Sequence, residues 1–290
     1  MKIIAILLAA VLVFSLLPGC SKAENAQIAA TTLPVYQFTT LLCQGTDISV
    51  TRLVTESVSC LHDYSLNVSQ VRALENAQVL VTSGLGLEDF MEDLIRDANC
   101  VIDSSLGIEP MACHDEHQGH HDHPHETDAH IWLSPVNAKI MAANICDGLC
   151  TQFPAHAETF RSNLATLHGR LDDLLAYGQS QLKDLSCRDL VTFHDGFSYF
   201  AQAFDLHILE AMEEESGSEA SAQELIHLIE LVNEHHLPAI FTECNGSVSA
   251  AQIIVRETGA NAFALDMAMA GEDYFKSMYH NIDTIREALG

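Results

Sequence analysis

Short apolar runs alternate with amphipathic stretches along most of the chain. In the first half the runs are 27–32 (QIAATT), 47–54 (DISVTRLV), 77–83 (AQVLVTS) and 100–105 (CVIDSS). Between them, 68–77 (VSQVRALENA) and 86–99 (GLEDFMEDLIRDAN) carry apolar positions at helical spacing. Strand-length runs separated by helical segments predict βαβ units and a parallel sheet. The second half repeats the rhythm with 188–194 (RDLVTFH), 205–212 (DLHILEAM), 238–243 (PAIFTE) and 261–267 (NAFALDM). Helices are predicted near 196–204, 220–236, 248–258 and 272–289, and another started by Ser134 or Pro135. Between the halves, Phe160, Leu164, Leu167, Leu171, Leu174, Leu182 and Leu185 recur at helical spacing, with Gly178 a point where the helix can bend. The expected fold is α/β: two lobes, each a small parallel sheet flanked by helices, joined by one long helix. The lobes are 27–153 and 186–290, and the linking helix 154–185.

The N-terminus sits outside this pattern. Lys2 precedes an apolar run from Ile3 to Leu17, which is shorter than the roughly 20 residues that cross a bilayer. Leu17-Pro18-Gly19-Cys20 follows, and the stretch resembles a bacterial lipoprotein signal. The resemblance implies a removed peptide 1–19, lipidated Cys20, a tether over 20–26, and an extracytoplasmic chain anchored to the membrane by its acyl groups.

Charge removes one class of partner. With 13 Lys+Arg against 40 Asp+Glu the formal charge is −27, so a nucleic-acid-binding surface is excluded. Hydrophobic residues at 48% are enough for a core, so the chain is not disordered. Besides Cys20, eight Cys are scattered without CxxC spacing, which rules out a zinc ribbon or thioredoxin-like motif.

Histidine carries the chemistry. His114, His117, His120, His121, His123 and His125 fill half of the positions 114–125, inside a polar loop over 113–128. Such a tract attracts divalent metal without forming a rigid site. Other histidines stand singly. His62 follows the second run, His194 follows the first run of the second half, and Asp266 ends the last run. All three lie at carboxyl ends of predicted parallel strands, where open α/β sheets bind ligands. His130 precedes the helix begun at Ser134 or Pro135. No HExxH is present, so a zinc hydrolase would lack its usual helical ligand pair and base.

The runs HDYSL, ALENAQVLVTSGLGLEDFMEDL, DAHIWLSPVNAKIMAANI, FHDGFSYFAQAFDL, SAQELIHLIELVNEHHLPAIFTE and RETGANAFALD resemble the solute-binding lipoproteins of ABC transporters for divalent metals, in the zinc-uptake branch. The likeness covers the mature chain. It implies a monomeric receptor, not an enzyme, that delivers Zn2+ to a permease and its ATPase. It also implies a metal between the lobes, held at positions matching His62, His130, His194 and Asp266. The manganese branch usually has Glu at the third position. Imidazole there suits zinc better than Mn2+. The pattern breaks after Asp266, where the usual Asp-Pro-Leu becomes Asp266-Met267-Ala268. Glu243, Cys60, Cys244 or a water are the alternatives for the fourth ligand. A zinc-dependent hydrolase or an adhesin-like surface lipoprotein are the competing functions.

Overall fold

The computed structural model describes residues 27–56, 61, 64–112, 127–212, 221–244, 248–269 and 271–290. Cys20, Cys60, His62 and the six loop histidines lie outside the described residues.

All eight apolar runs contain a strand. β1 (Ile28–Ala30), β2 (Val50–Arg52), β3 (Val79–Thr82) and β4 (Val101–Asp103) form one parallel sheet in the order β2-β1-β3-β4. Every residue of β3 is buried, as expected of an inner strand covered on both faces. β5 (Met111–Ala112) and β6 (Thr127–Asp128) form a small antiparallel pair that the apolar pattern did not predict. The second sheet contains β7 (Asp189–Thr192), β8 (His207–Ala211), β9 (Ala239–Glu243) and β10 (Asn261–Leu265). Its order, β10-β9-β7-β8, is again all parallel. Read from the other edge it is β8-β7-β9-β10, the strand order of the first sheet.

The helices are α1 (Leu33–Leu42), α2 (Val68–Asn76), α3 (Glu92–Asp97), α4 (Pro135–Gln152), α5 (Ala157–Gln181), α6 (Ser198–Phe204), α7 (Ala222–Glu234), α8 (Ser249–Thr258) and α9 (Tyr274–Leu289). Asn67 with Gln70 and Ser221 with Glu224 form reciprocal capping boxes that fix the starts of α2 and α7. α1 was not foreseen. Val35, Thr39 and Thr40 favour strands by themselves, but Pro34 opens a helical first turn and Leu33, Phe38 and Leu42 bury one face.

The long helix is shorter than its apolar spacing predicts. Phe153 has non-helical dihedrals and Pro154–His156 is a 3-10 turn, so α5 begins at Ala157; the other end caps at Leu182. Its 25 residues span about 37 Å. α5 folds back along α4: Lys139 Nζ lies 2.6 Å from Asp172 Oδ1, and His168 Nε2 lies 3.0 Å from the Lys139 carbonyl. Near its start, Asn163 donates to the Leu42 and Gln44 carbonyls. At its end, Tyr177 and Gln181 bond Asp283 and Arg286 of α9. Gly178 lets a neighbour approach instead of bending the helix, since a Cβ there would lie 2.2 Å from the Phe204 ring.

One buried cluster runs from Ile28 and Val81 through Trp132, Met141, Phe160 and Leu171 to Phe241 and Leu265. The outer face of the first sheet is sealed by Leu53, Leu74, Leu80 and Met91, and that of the second by Val191, Leu228, Val232, Ile240 and Ile254. Each sheet therefore has both faces covered, and only its strand ends remain for ligands.

Candidate metal centre

His194 stands two residues beyond β7. Phe193 N donates to the Phe241 carbonyl, carrying the β7–β9 pairing past the strand and setting the next side chain beside the end of β9. That end is Glu243, 7% exposed, whose Oε1 lies 2.7 Å from His194 Nδ1. The two atoms are in close contact, although the oxygen receives no directed hydrogen bond. The distance places Glu243 on the Nδ1 side of the ring.

His130 reaches the same place by a local route. Asp128, at the end of β6 and 1% exposed, uses one oxygen twice: Oδ1 accepts from His130 N and lies 2.9 Å from His130 Nδ1. Burial pushes the Asp128 carboxyl up, but the hydrogen bonds and charge of His130 outweigh this and hold it below the ordinary aspartate range. The turn Ile131–Leu133 behind His130 is fully buried, and Ser134 caps α4 by accepting from Asn137 N.

The two rings meet edge to face with centroids 5.0 Å apart, and their Nε2 atoms are 3.4 Å apart. Nδ1 of each ring lies beside a carboxylate oxygen, and the two Nε2 atoms are turned toward one another. With Nε2 of both rings unprotonated, a cation between them would take both lone pairs. Two nitrogens on a tetrahedral Zn2+ at about 2.05 Å are separated by about 3.3 Å, so the observed gap fits zinc as cargo. In metal sites generally, a carboxylate behind an imidazole is the outer-shell arrangement that fixes its tautomer and orientation.

Space around the pair is tight. A Cβ on Gly196 would lie 2.6 Å from Met267 Cε, 2.7 Å from His130 Nδ1 and 2.8 Å from His194 Cδ2. Glycine is thus needed there for close approach. Met267 Cε and both histidine rings thus border the same face of Gly196. The Met267 carbonyl accepts from Trp132 Nε1 at 2.8 Å, while Tyr274 donates to the Trp132 carbonyl. Leu33 N to the Met269 carbonyl and Arg52 to the Gly271 carbonyl add two more bonds between the lobes.

Asp266 is held firmly. Oδ1 accepts from Ala268 N at 2.8 Å and Oδ2 from Ser277 Oγ at 2.6 Å, while Asn281 brackets its backbone from both sides. Each oxygen keeps a lone pair for a further partner. Cys244 is exposed at the end of β9. Desolvation first, then the charges of Asp266 and Glu243, push its thiol up and disfavour the thiolate a metal requires. Among the described residues no three His, Cys, Asp or Glu converge as a metal shell. The described part of the predicted set that comes together is the His130–His194 pair.

The ZnuA family model, described as zinc-uptake complex component A, periplasmic, matches residues 28–288. The chain belongs to this family. A putative metal-binding protein of Treponema pallidum is 29% identical over 262 residues, covering 86% of this chain and 83% of its own length. The zinc-binding lipoprotein AdcA of Streptococcus pneumoniae is 28% identical over 311 positions, covering 99% of this chain, which spans 61% of that relative. A crystal structure of ZnuA superposes with a TM-score of 0.78 at 29% identity, over 91% of this chain and all of the other. In this ZnuA-family chain, sequence reasoning singled out His130 and His194 but passed over Asp128 and Gly196. Asp128 had a visible signal, the Asp-x-His spacing of Asp128-Ala129-His130.

Proposed function

We propose that this chain is an extracytoplasmic zinc receptor, tethered through lipidated Cys20, that captures Zn2+ and passes it to an ABC permease driven by its ATPase. The observation that carries the reading is the pair of Nε2 atoms 3.4 Å apart, each ring backed at Nδ1 by a buried carboxylate. His62 and Asp266 complete the shell, which lies between the lobes 27–153 and 186–290. An all-nitrogen trio with one carboxylate favours zinc over manganese. Glu243 orients His194 and is not itself a ligand, because its near oxygen is already against Nδ1.

A zinc hydrolase needs an open coordination position and a carboxylate free to activate water. Here the two carboxylates nearest the imidazoles both face ring nitrogens, which supports carriage over hydrolysis. His114, His117, His120, His121, His123 and His125 form an auxiliary collecting loop outside the tight site. Competitive zinc titration of the full chain and of a chain lacking 114–125 tests this. One tight site should be present in both, with the weaker sites lost on deletion. Disappearance of the tight site together with the loop would overturn the assignment.

A further inference from the structure

Hydrogen bonds converge on Asp266 from the turn after it and from one face of α9. Asn281 Oδ1 accepts from Asp266 N at 2.8 Å, and Asn281 Nδ2 donates to the Asp266 carbonyl at 2.7 Å. One turn nearer the start of the helix, Ser277 Oγ donates to Asp266 Oδ2 at 2.6 Å. Ala268 N donates to the other oxygen, Oδ1, at 2.8 Å, and Ala268 holds a left-handed φ of 53°, a region that side chains disfavour. Tyr274, Ser277 and Asn281 are spaced three and four apart, so they share one side of α9, and all three are buried. Tyr274 Oη donates to the carbonyl of Trp132, two residues after His130. The same helix face therefore fixes Asp266 and braces the turn behind His130.

We infer that Ser277 is a positioning residue that selects the metal: its hydroxyl on one oxygen, with Ala268 N on the other, fixes the plane of the Asp266 carboxylate so that it offers a cation one oxygen instead of two. The inference rests on the reading of Asp266 as a ligand. Zinc favours a tetrahedral shell that nitrogen donors suit, whereas manganese favours an octahedral shell of oxygens. A carboxylate that is free to turn and place both oxygens on the metal adds a coordination position, which serves the oxygen-seeking cation and not zinc. Here any such turn breaks the Ser277 bond at one oxygen and the Ala268 bond at the other. Manganese is then disfavoured by a hydrogen bond outside the shell as well as by the imidazole of His194 within it.

The test is competitive titration of the full chain with Zn2+ and with Mn2+, in Ser277→Ala and Ser277→Thr, each in the parent and in an Asp266→Ala background. Ser277→Ala should weaken zinc about tenfold, the lower end of what outer-shell partners contribute, and leave manganese within about threefold of the parent, so the preference for zinc narrows. Ser277→Thr keeps the hydroxyl and should restore most of that preference. Co2+ loaded in place of zinc gives an independent reading, because the visible bands of tetrahedral Co2+ are intense and weaken as the coordination number rises. Those bands should fade in Ser277→Ala and persist in Ser277→Thr. In the Asp266→Ala background, Ser277→Ala should leave both affinities where Asp266→Ala alone puts them, since the carboxylate it positions is gone. Equal losses for both metals with unchanged cobalt bands would reduce Ser277 to a packing residue and overturn the inference. So would parental affinities for both metals in Ser277→Ala beside a large zinc loss in Asp266→Ala, which leaves the site reading intact. Parental zinc affinity in Asp266→Ala itself would overturn the reading of Asp266 as a ligand, and the inference with it.

Discussion

The two sheets share one strand order, so each has a crevice between its first and third strands, where the chain leaves on one side and returns on the other. In the second lobe this crevice, between β7 and β9, holds His194 against Glu243. In the first lobe the equivalent crevice, between β1 and β3, is closed by its own polar groups. Thr32, two residues beyond β1 as His194 is two beyond β7, bonds Ser83 Oγ at 2.9 Å. Glu88 folds back over the gap, accepting from Thr31 Oγ1 at 2.6 Å, Ser83 N at 2.7 Å and Gly84 N at 3.0 Å. The first lobe instead contributes His130 from the turn before α4. Topology thus offers two equivalent positions, and the side chains decide that one presents a histidine and the other a sealed joint.

The largest contrast should come from the matched pair at those positions. His194→Ala removes the proposed nitrogen ligand and should weaken zinc on the order of a thousandfold or more. Thr32→Ala removes one hydroxyl pair and should leave zinc affinity within about twofold, at a stability cost of about 1 kcal/mol. Competitive titration with a fluorescent chelator reads both. A His194→Ala protein that binds as tightly as the parent would end the assignment of the C-lobe crevice.

The two buried glutamates should separate affinity from stability. Glu243→Ala leaves His194 without its orienting carboxylate and should weaken zinc tenfold to a hundredfold, in the range of such outer-shell losses. Glu88→Ala strands two buried amides and a hydroxyl, each costing about 1–3 kcal/mol, so its denaturant midpoint should fall sharply. Its zinc affinity, measured on the folded fraction, should change little. If Glu88→Ala instead loses affinity at unchanged stability, the first-lobe crevice is not a sealed joint.

This comparison also marks what the sequence carried. Apolar runs of strand length located all eight parallel strands, and inner ones such as β3 and β9, buried along their whole length, leave an unbroken hydrophobic signature. The Asp128–His130 contact is legible because it is local. The His194–Glu243 contact requires knowing that β9 lies beside β7, which strand order along the chain does not state. Glu88 was hidden for another reason. Its amphipathic surroundings read as one helix from Gly86, yet Gly84, Leu85 and Gly86 all have positive φ and turn the chain so that Glu88 faces back over the strand ends. Left-handed residues two to four positions ahead of Glu88 outweighed the helical periodicity.

The smallest effect, and a direct one on the sealed crevice, is its dependence on pH. Burial, first among the causes, pushes the Glu88 carboxyl above an ordinary glutamate's 4.5, and the Asp103 charge adds to it against the pull of Thr31, Ser83 and Gly84. Between the unfolded and the raised folded value the folded chain holds more protons, so the stability Glu88 contributes is complete below 4.5 and declines as pH rises through the folded value. Asp128 has the opposite sign. Its folded value is depressed below 3.8, so its contribution is complete above that pH and is lost as pH falls through the depressed value. Denaturant midpoints of the metal-free chain, measured from acid to neutral pH, should therefore bend in opposite directions for the two groups. Glu88→Gln should flatten the decline above 4.5 relative to the parent, and Asp128→Asn should flatten the loss below 3.8. The general self-repulsion of a chain carrying a formal −27 is common to parent and variants and cancels in the difference. A Glu88→Gln protein whose midpoint still falls with rising pH as steeply as the parent's would show that the carboxyl in the N-lobe crevice is not held above its ordinary range.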